Sequence, residues 1–330
     1  MLKDADMDSW YNLVVTCQRQ GIDVMSAARM IAWAMELYET GGISKEQTGG
    51  IELTWGNKEA IAVLIRQIGK KEGFGATLAK NVQEAAAELG EGVEEALNLK
   101  GMPVGCTDVL SFRGRTMGAI VNPRGGDEYR ARYGSFDNLG SGKNTGMTGM
   151  AKPDSWEARS AMAIIEKAQE ESRKNGLPDT FTQHDITARG SVAALGNRLI
   201  IVSDALGQCK WNTLFLNVGL SIEFQAKVLS AGLGIEISVE DLLAKASRIS
   251  AQERLFAMMN GLTRDDDTLP PPMINRKMAG AWPEDSVTAE EVDKMKEEFY
   301  RAMGWHENSG TPKHDTLKVL GVDHLFSEIQ

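Results

Sequence analysis

Asp204-Ala205-Leu206-Gly207-Gln208-Cys209 and Gln18-Arg19-Gln20-Gly21-Ile22-Asp23 share one pattern: a polar residue, two residues, a glycine, one residue, then a side chain able to ligate or accept a hydrogen bond. Each segment falls where one amphipathic stretch ends and another begins. Glycine there supplies the left-handed backbone that closes a helix. The side chain after it stands beside amides left free at a helix terminus. Such a turn offers a polar cofactor both amides and a side chain. Two ordinary helix C-caps fit the same spacing, so the pattern alone leaves both readings open.

Outward from the first turn, apolar residues recur at helical spacing. The spacing predicts helices over 9–20 and 26–40, the second closed by Gly41-Gly42. Ser44-Lys45-Glu46-Gln47 has the form of an N-cap with a polar first turn. A helix over 58–70 places Ala60, Val63, Leu64 and Ile68 on one face; Gly73-Phe74-Gly75 breaks it, and another covers 76–89. Around the second turn, helices are expected over 156–174, 190–206, 212–231, 239–260 and 289–303. Leu269-Pro270-Pro271-Pro272 reads as a solvent-side connector, and Trp10, Trp33 and Trp211 read as core. Strand signals are sparse. The expected fold is mainly α, with one helical domain over 1–98 carrying the first turn and another over 99–330 carrying the second.

Residues 98–150 are crowded with glycine but also carry Val104, Leu110, Phe112, Ile120, Val121, Tyr129, Tyr133 and Phe136. A flexible linker would lack those side chains, so an ordered irregular segment with backbone close to a ligand is expected.

The formal net charge of −10 argues against nucleic acid and anionic lipid as partners. No apolar run reaches the roughly 18 residues that a membrane span needs. The acidic start Met1-Leu2-Lys3-Asp4-Ala5-Asp6-Met7-Asp8 lacks the apolar core of a signal peptide. Three scattered cysteines, Cys17, Cys106 and Cys209, make a disulfide framework unexpected and a reducing cytoplasm the default.

The two turns resemble the pterin-binding turns of the aldehyde ferredoxin oxidoreductase family, D-x-x-G-L-D and D-x-x-G-L-C. Asp204, Gly207 and Cys209 match the second, with Gln208 in place of Leu; Gly21 and Asp23 match the first, with Gln18 where Asp is usual. Ile43 to Gly50, Lys71 to Gly75, Glu253-Arg254-Leu255-Phe256, Gly261 to Pro270, Gly304-Trp305, Gly310-Thr311-Pro312 and Leu317 to Gly321 are similar to family segments in the same order.

The resemblance implies the family's C-terminal pair of helical domains, and an oxidoreductase. Its implied cofactors are tungsten or molybdenum held by two molybdopterins, with Mg2+ as a further ion, and a [4Fe–4S] cluster to which Cys209 contributes one thiolate. Gln18, Gly21, Asp23, Asp204, Gly207 and Cys209 become the expected cofactor residues. The stretch Asn122-Pro123-Arg124-Gly125-Gly126-Asp127-Glu128 resembles a family loop whose His is a candidate proton-transfer group; Glu128 stands at that position. A buried carboxylate can also move protons, while a surface Asp-Glu pair is the plainer reading. His184, ahead of the helix leading to Asp204, is a second candidate for the substrate cavity or an ordinary cap residue.

A [4Fe–4S] cluster normally takes four ligands, and the family's C-x-x-C-x-x-x-C run does not occur in this sequence. The implied partners are therefore an N-terminal pterin- and cluster-binding domain or subunit, a ferredoxin-like electron acceptor and a small-molecule substrate. The isolated chain is expected to be inactive. A relative that reduces a thioester or aromatic acid fits the same turns, as does a helical interaction subunit without cofactor.

Overall fold

The computed structural model describes residues 6–90, 97–104, 109–110, 112–127, 155–176, 184–210, 213, 220–274 and 286–328. Glu128, Cys106, Trp211, most of the glycine-rich stretch and the start of the helix expected from Asn212 lie outside the described residues. The described chain is mainly α: twelve helices and one two-stranded hairpin. It forms two compact units. One comprises Met1–Asp108, Arg124–Asp127 and Pro270–Pro272; the other comprises Val109–Pro123, Glu128–Leu269 and Met273–Gln330.

The first unit holds α1 (Met7–Gln20), α2 (Val24–Thr40), α3 (Lys58–Lys70), α4 (Gly73–Leu78), α5 (Val82–Leu89), β1 (Asn98–Leu99) and β2 (Met102–Pro103). Helix α2 runs through its core, burying Ala27, Met30, Ile31, Trp33, Ala34, Met35 and Leu37. Ile61, Leu64, Ile65 and Ile68 of α3 and Phe74 of α4 join them. Each buried Leu, Ile, Met or Phe among them contributes about 1.5–3 kcal/mol of burial free energy. Asp6 caps α1 through Ser9 N at 2.7 Å and pairs with Lys58 at the start of α3. The Lys58 ammonium, with the Ser9 bonds, holds the Asp6 carboxyl far below the usual range.

Several expectations change in this unit. The helix expected over 76–89 is two, because Asn81 accepts from Glu84 N at 2.8 Å and restarts the chain as α5. Gly73-Phe74-Gly75 opens α4 instead of breaking a helix. Ser44 and Gln47 exchange the bonds of a capping box, yet a turn follows in place of a helix. Trp10 is 51% exposed and Val63 39%, so neither belongs to the core. Gly125 and Gly126 lie against the hairpin, where a Cβ would come within 2.4 Å of Leu99 O and 2.3 Å of Pro103 O. Backbone does approach closely in the glycine-rich stretch, but at these positions it approaches protein.

The second unit holds α6 (Arg113–Val121), α7 (Trp156–Lys174), α8 (Arg189–Ala205), α9 (Ile222–Leu233), α10 (Val239–Met259), α11 (Ala289–Met303) and α12 (His314–Leu320). Helix α8 is its axis. Thirteen of its seventeen residues are buried, as expected of a helix apolar nearly all round. Helices α6, α7, α10 and α11 pack around it. The N-cap of α8 is Ala188, left-handed at φ 62° and without a capping side chain. Glu298 of α11 does that work, accepting from Gly190 N at 3.0 Å and Ser191 Oγ at 2.7 Å. Leu269 and Pro270 are buried, so the proline run is not the solvent-side connector its composition suggested.

Candidate cofactor-binding turns

The first turn joins α1 to α2. Gly21 adopts φ 69°; its N–H donates to Gln18 O at 3.1 Å and Ile22 N–H donates to Cys17 O at 3.2 Å. The second turn ends α8. Gly207 adopts φ 64°; its N–H donates to Asp204 O at 3.0 Å and Gln208 N–H donates to Ser203 O at 2.9 Å. The same pair of bonds, reaching back three and five residues, builds both turns. Gln18 corresponds to Asp204, Gly21 to Gly207 and Asp23 to Cys209. A Cβ on either glycine would meet nothing within 4 Å. The left-handed conformation, not crowding, selects glycine here.

The backbone ladder itself does not mark a site. Gly41, Gly304 and Gly321 close their helices with the same bonds. The side chains give the two turns their chemistry. Gln18 and Asp23 are exposed, and Asp23 Oδ2 accepts from Ser26 N at 2.6 Å as the N-cap of α2. One carboxylate oxygen is thereby fixed in direction beside the turn. Asp204 Oδ1 pairs with Lys210 Nζ at 2.9 Å, and Lys210 is only 13% exposed. Gln208 Oε1 is buried without a hydrogen-bond partner among the described residues. Cys209 carries a free, exposed thiol. Lys210 is a residue of the second turn that pattern reading missed, since nothing local says that a lysine after the cysteine folds back onto the aspartate.

These features fit a polar, hydrogen-bonding cofactor: an open turn, an aimed carboxylate on the first, and a carboxylate and free thiol on the second. They fit an iron–sulfur cluster only in part. Cys17 is 3% exposed in the first unit's core, where burial and then the Asp23 charge push its thiol above the ordinary range. Among the described residues no group of three or more His, Cys, Asp or Glu gathers as a metal site. Cys209 stands without a second cysteine, histidine or carboxylate pair gathered around it among the described residues.

His184 is half-buried, and its carbonyl accepts from Arg113 Nε at 3.1 Å. It precedes α8, whereas Asp204 lies in the last turn of that helix and Cys209 follows it. Seventeen residues at 1.5 Å rise put roughly 25 Å between the two ends. The structure does not bring His184 to the second turn.

Two residues of the resembling segments downstream meet inside the second unit. Arg254 and Asp267 are fully buried and pair with one another. Their spacing in the sequence gives no sign of the contact.

Two helical units, each carrying one such turn at a helix end, are the frame against which known proteins can be compared. The profile described as "Aldehyde ferredoxin oxidoreductase, domains 2 & 3" matches residues 1–322, and the chain belongs to that family. It is similar to the tungsten-containing aldehyde ferredoxin oxidoreductase of Pyrococcus furiosus, at 28% identity over 313 residues, covering 94% of this chain and 44% of that protein. It is also similar to the WOR-like subunit of aliphatic sulfonate oxidoreductase from the same organism, at 34% identity over 114 residues, covering 32% of this chain and 18% of the subunit. The fold matches the active-site complex BamBC of benzoyl coenzyme A reductase, solved with 1,5-dienoyl-CoA, at TM-score 0.63 and 24% identity, covering 93% of this chain and 45% of that one. The chain thus spans under half the length of the relatives it matches over nearly its full extent. No described helix is long and apolar enough to cross a membrane.

Proposed function

We propose that this chain forms one side of a bis-pterin tungsten or molybdenum site and contributes the Cys209 thiolate to a [4Fe–4S] cluster completed by another domain or subunit. The observation that carries the reading is the side chains at the two turns, one turn in each unit: the fixed Asp23 carboxylate at the first, and the Asp204 carboxylate with the exposed Cys209 thiol at the second, with open space above each glycine. The family membership supplies the cofactor class.

In this reading Asp23 and Asp204 accept hydrogen bonds from the pterin rings, Gln18 adds an amide, and Gly21 and Gly207 keep the approach clear. Lys210 holds the Asp204 carboxylate in place before the cofactor arrives. Mg2+ belongs with the pterin phosphates. When bound, the metal would supply two-electron redox chemistry on an aldehyde, a carboxylic acid or a thioester, with electrons leaving through the cluster to a ferredoxin-like acceptor. Glu128 is assigned proton transfer at the position where the family loop carries His, and His184 a place in the substrate cavity. The exposed free thiol of Cys209 suits a reducing compartment such as the cytoplasm.

The test is anaerobic production of the chain alone and with its N-terminal partner, followed by tungsten, iron and pterin analysis. Stoichiometric pterin and tungsten in the assembled form, and none in the lone chain, is expected. A lone chain holding tungsten and a full complement of iron overturns the reading, as does an assembled form in which both turns can be altered without loss of pterin.

A further inference from the structure

We propose that a cavity in the first unit, beside Trp33 of α2, binds a small neutral aromatic molecule that carries one carbonyl acceptor. The cavity is about 160 Å3 and lies among α2, the loop before α3, the start of α5 and the hairpin; Trp33, Trp55, Val82, Leu97 and Pro103 line it, with Arg29 and Glu36 also on its wall. It includes none of the residues assigned to the cofactor turns.

Three observations lead to this class of ligand. First, Trp33 is only 8% exposed, and its indole N–H is buried without a hydrogen-bond partner among the described residues. Native folds rarely leave a buried donor unpaired, because the desolvation penalty then goes uncompensated. By contrast, the Trp55 indole N–H donates to Glu39 Oε2 at 2.8 Å. The site therefore lacks an acceptor at Trp33.

Second, size and walls select the rest of the ligand. An apolar cavity of about 150 Å3 takes up benzene, so one aromatic ring with a small substituent fills this volume. Two indoles favour an aromatic partner through edge and offset contacts.

Third, Arg29 and Glu36 lie seven residues apart on the α2 face that carries Trp33, with opposite charges. Neither a carboxylate nor an ammonium ion is favoured by the pair, which leaves a neutral amide, ketone or aldehyde.

The test uses the full chain labelled with 15N at its seven tryptophan indoles. Acetophenone is the probe and ethylbenzene the control that keeps the shape and lacks the acceptor. Trp33→Phe assigns the Trp33 N–H resonance, and Ala32→Leu narrows the cavity while leaving that N–H in place. The expected result is a saturable shift of the Trp33 resonance with acetophenone, about tenfold weaker binding of ethylbenzene, and loss of both in Ala32→Leu with helical content unchanged. A Trp33 resonance that stays unmoved to the solubility limit of acetophenone overturns the proposal, as does contact of that N–H with water alone. Equal binding of both probes, or undiminished binding in Ala32→Leu, also overturns it.

Discussion

Arg254 Nη1 and Asp267 Oδ2 pair at 2.8 Å with both side chains out of solvent, at 2% and 0% exposure. Arg254 Nε donates to Gly310 O at 3.0 Å, and its guanidinium lies over the rings of Tyr300 and Trp305 at 5.7 and 5.6 Å. The Tyr300 hydroxyl donates to Asp267; burial, reinforced by the Asp267 charge, pushes that phenol far above its ordinary range. Lys296 Nζ donates to Asp267 O at 3.1 Å. The pair thus ties α10, α11 and the turn at Gly310 into one block. Helices α10 and α11 pack on α8, which ends in the second glycine turn.

Asp267→Asn leaves Arg254 charged and buried with its neutralising partner gone. Breaking one side of a buried pair costs about 3–5 kcal/mol. The exposed pair Arg301–Glu307, at 2.7 Å, is the control, because Glu307→Gln should cost under about 1 kcal/mol. Urea unfolding midpoints separate the two. Equal losses would remove the pair from its structural role.

Burial raises the folded pKa of Glu298 above the ordinary value of 4.5, against the bonds from Ser191 and Gly190. A carboxyl raised in the folded state is more comfortable protonated there than in the unfolded chain. Its contribution to stability is therefore full below the unfolded pKa and is lost as pH rises through the folded pKa. Glu298→Gln keeps one acceptor oxygen for Gly190 N, offers Ser191 Oγ an N–H donor in place of the second oxygen, and removes the titration. Stability measured from pH 4 upward should fall for the native chain relative to the variant in the window just above 4.5. Parallel profiles would show that Glu298 titrates normally.

Asp23 has two duties in this account, one as the N-cap of α2 and one toward the cofactor. Asp23→Ala removes both and should destabilise the chain by about 1 kcal/mol. Asp23→Ser keeps a capping oxygen and loses the carboxylate. Pterin content of the assembled enzyme should fall in both variants, while thermal stability falls in Ala alone. Full pterin content in Asp23→Ser would confine Asp23 to capping.

The helices over 58–70, 156–174 and 289–303 were legible because local signals bracket them: Asn57, Ser155 and Thr288 each cap the first turn with a side-chain oxygen. Both glycine turns were legible for a similar reason, since a left-handed residue at a helix end asks for glycine. The split between α4 and α5 was hidden because Asn81 lies inside an otherwise unbroken apolar pattern. The exposure of Trp10, the burial of Leu269 and Pro270 and the Arg254–Asp267 contact depend on what packs against them, which no local spacing reports. Lys210 folding onto Asp204 is of the same kind.

The central claim is that the second turn presents Cys209 to an iron–sulfur cluster, and the reduced-cluster electron paramagnetic resonance signal of the assembled enzyme tests it most directly. Serine is a harder, poorer ligand for iron of nearly the same size. The account predicts that Cys209→Ser loses or alters the signal and turnover with an artificial acceptor while helical content stays unchanged, and that Cys106→Ser leaves both intact. A normal signal and normal turnover in Cys209→Ser, with loss in Cys106→Ser, would contradict it.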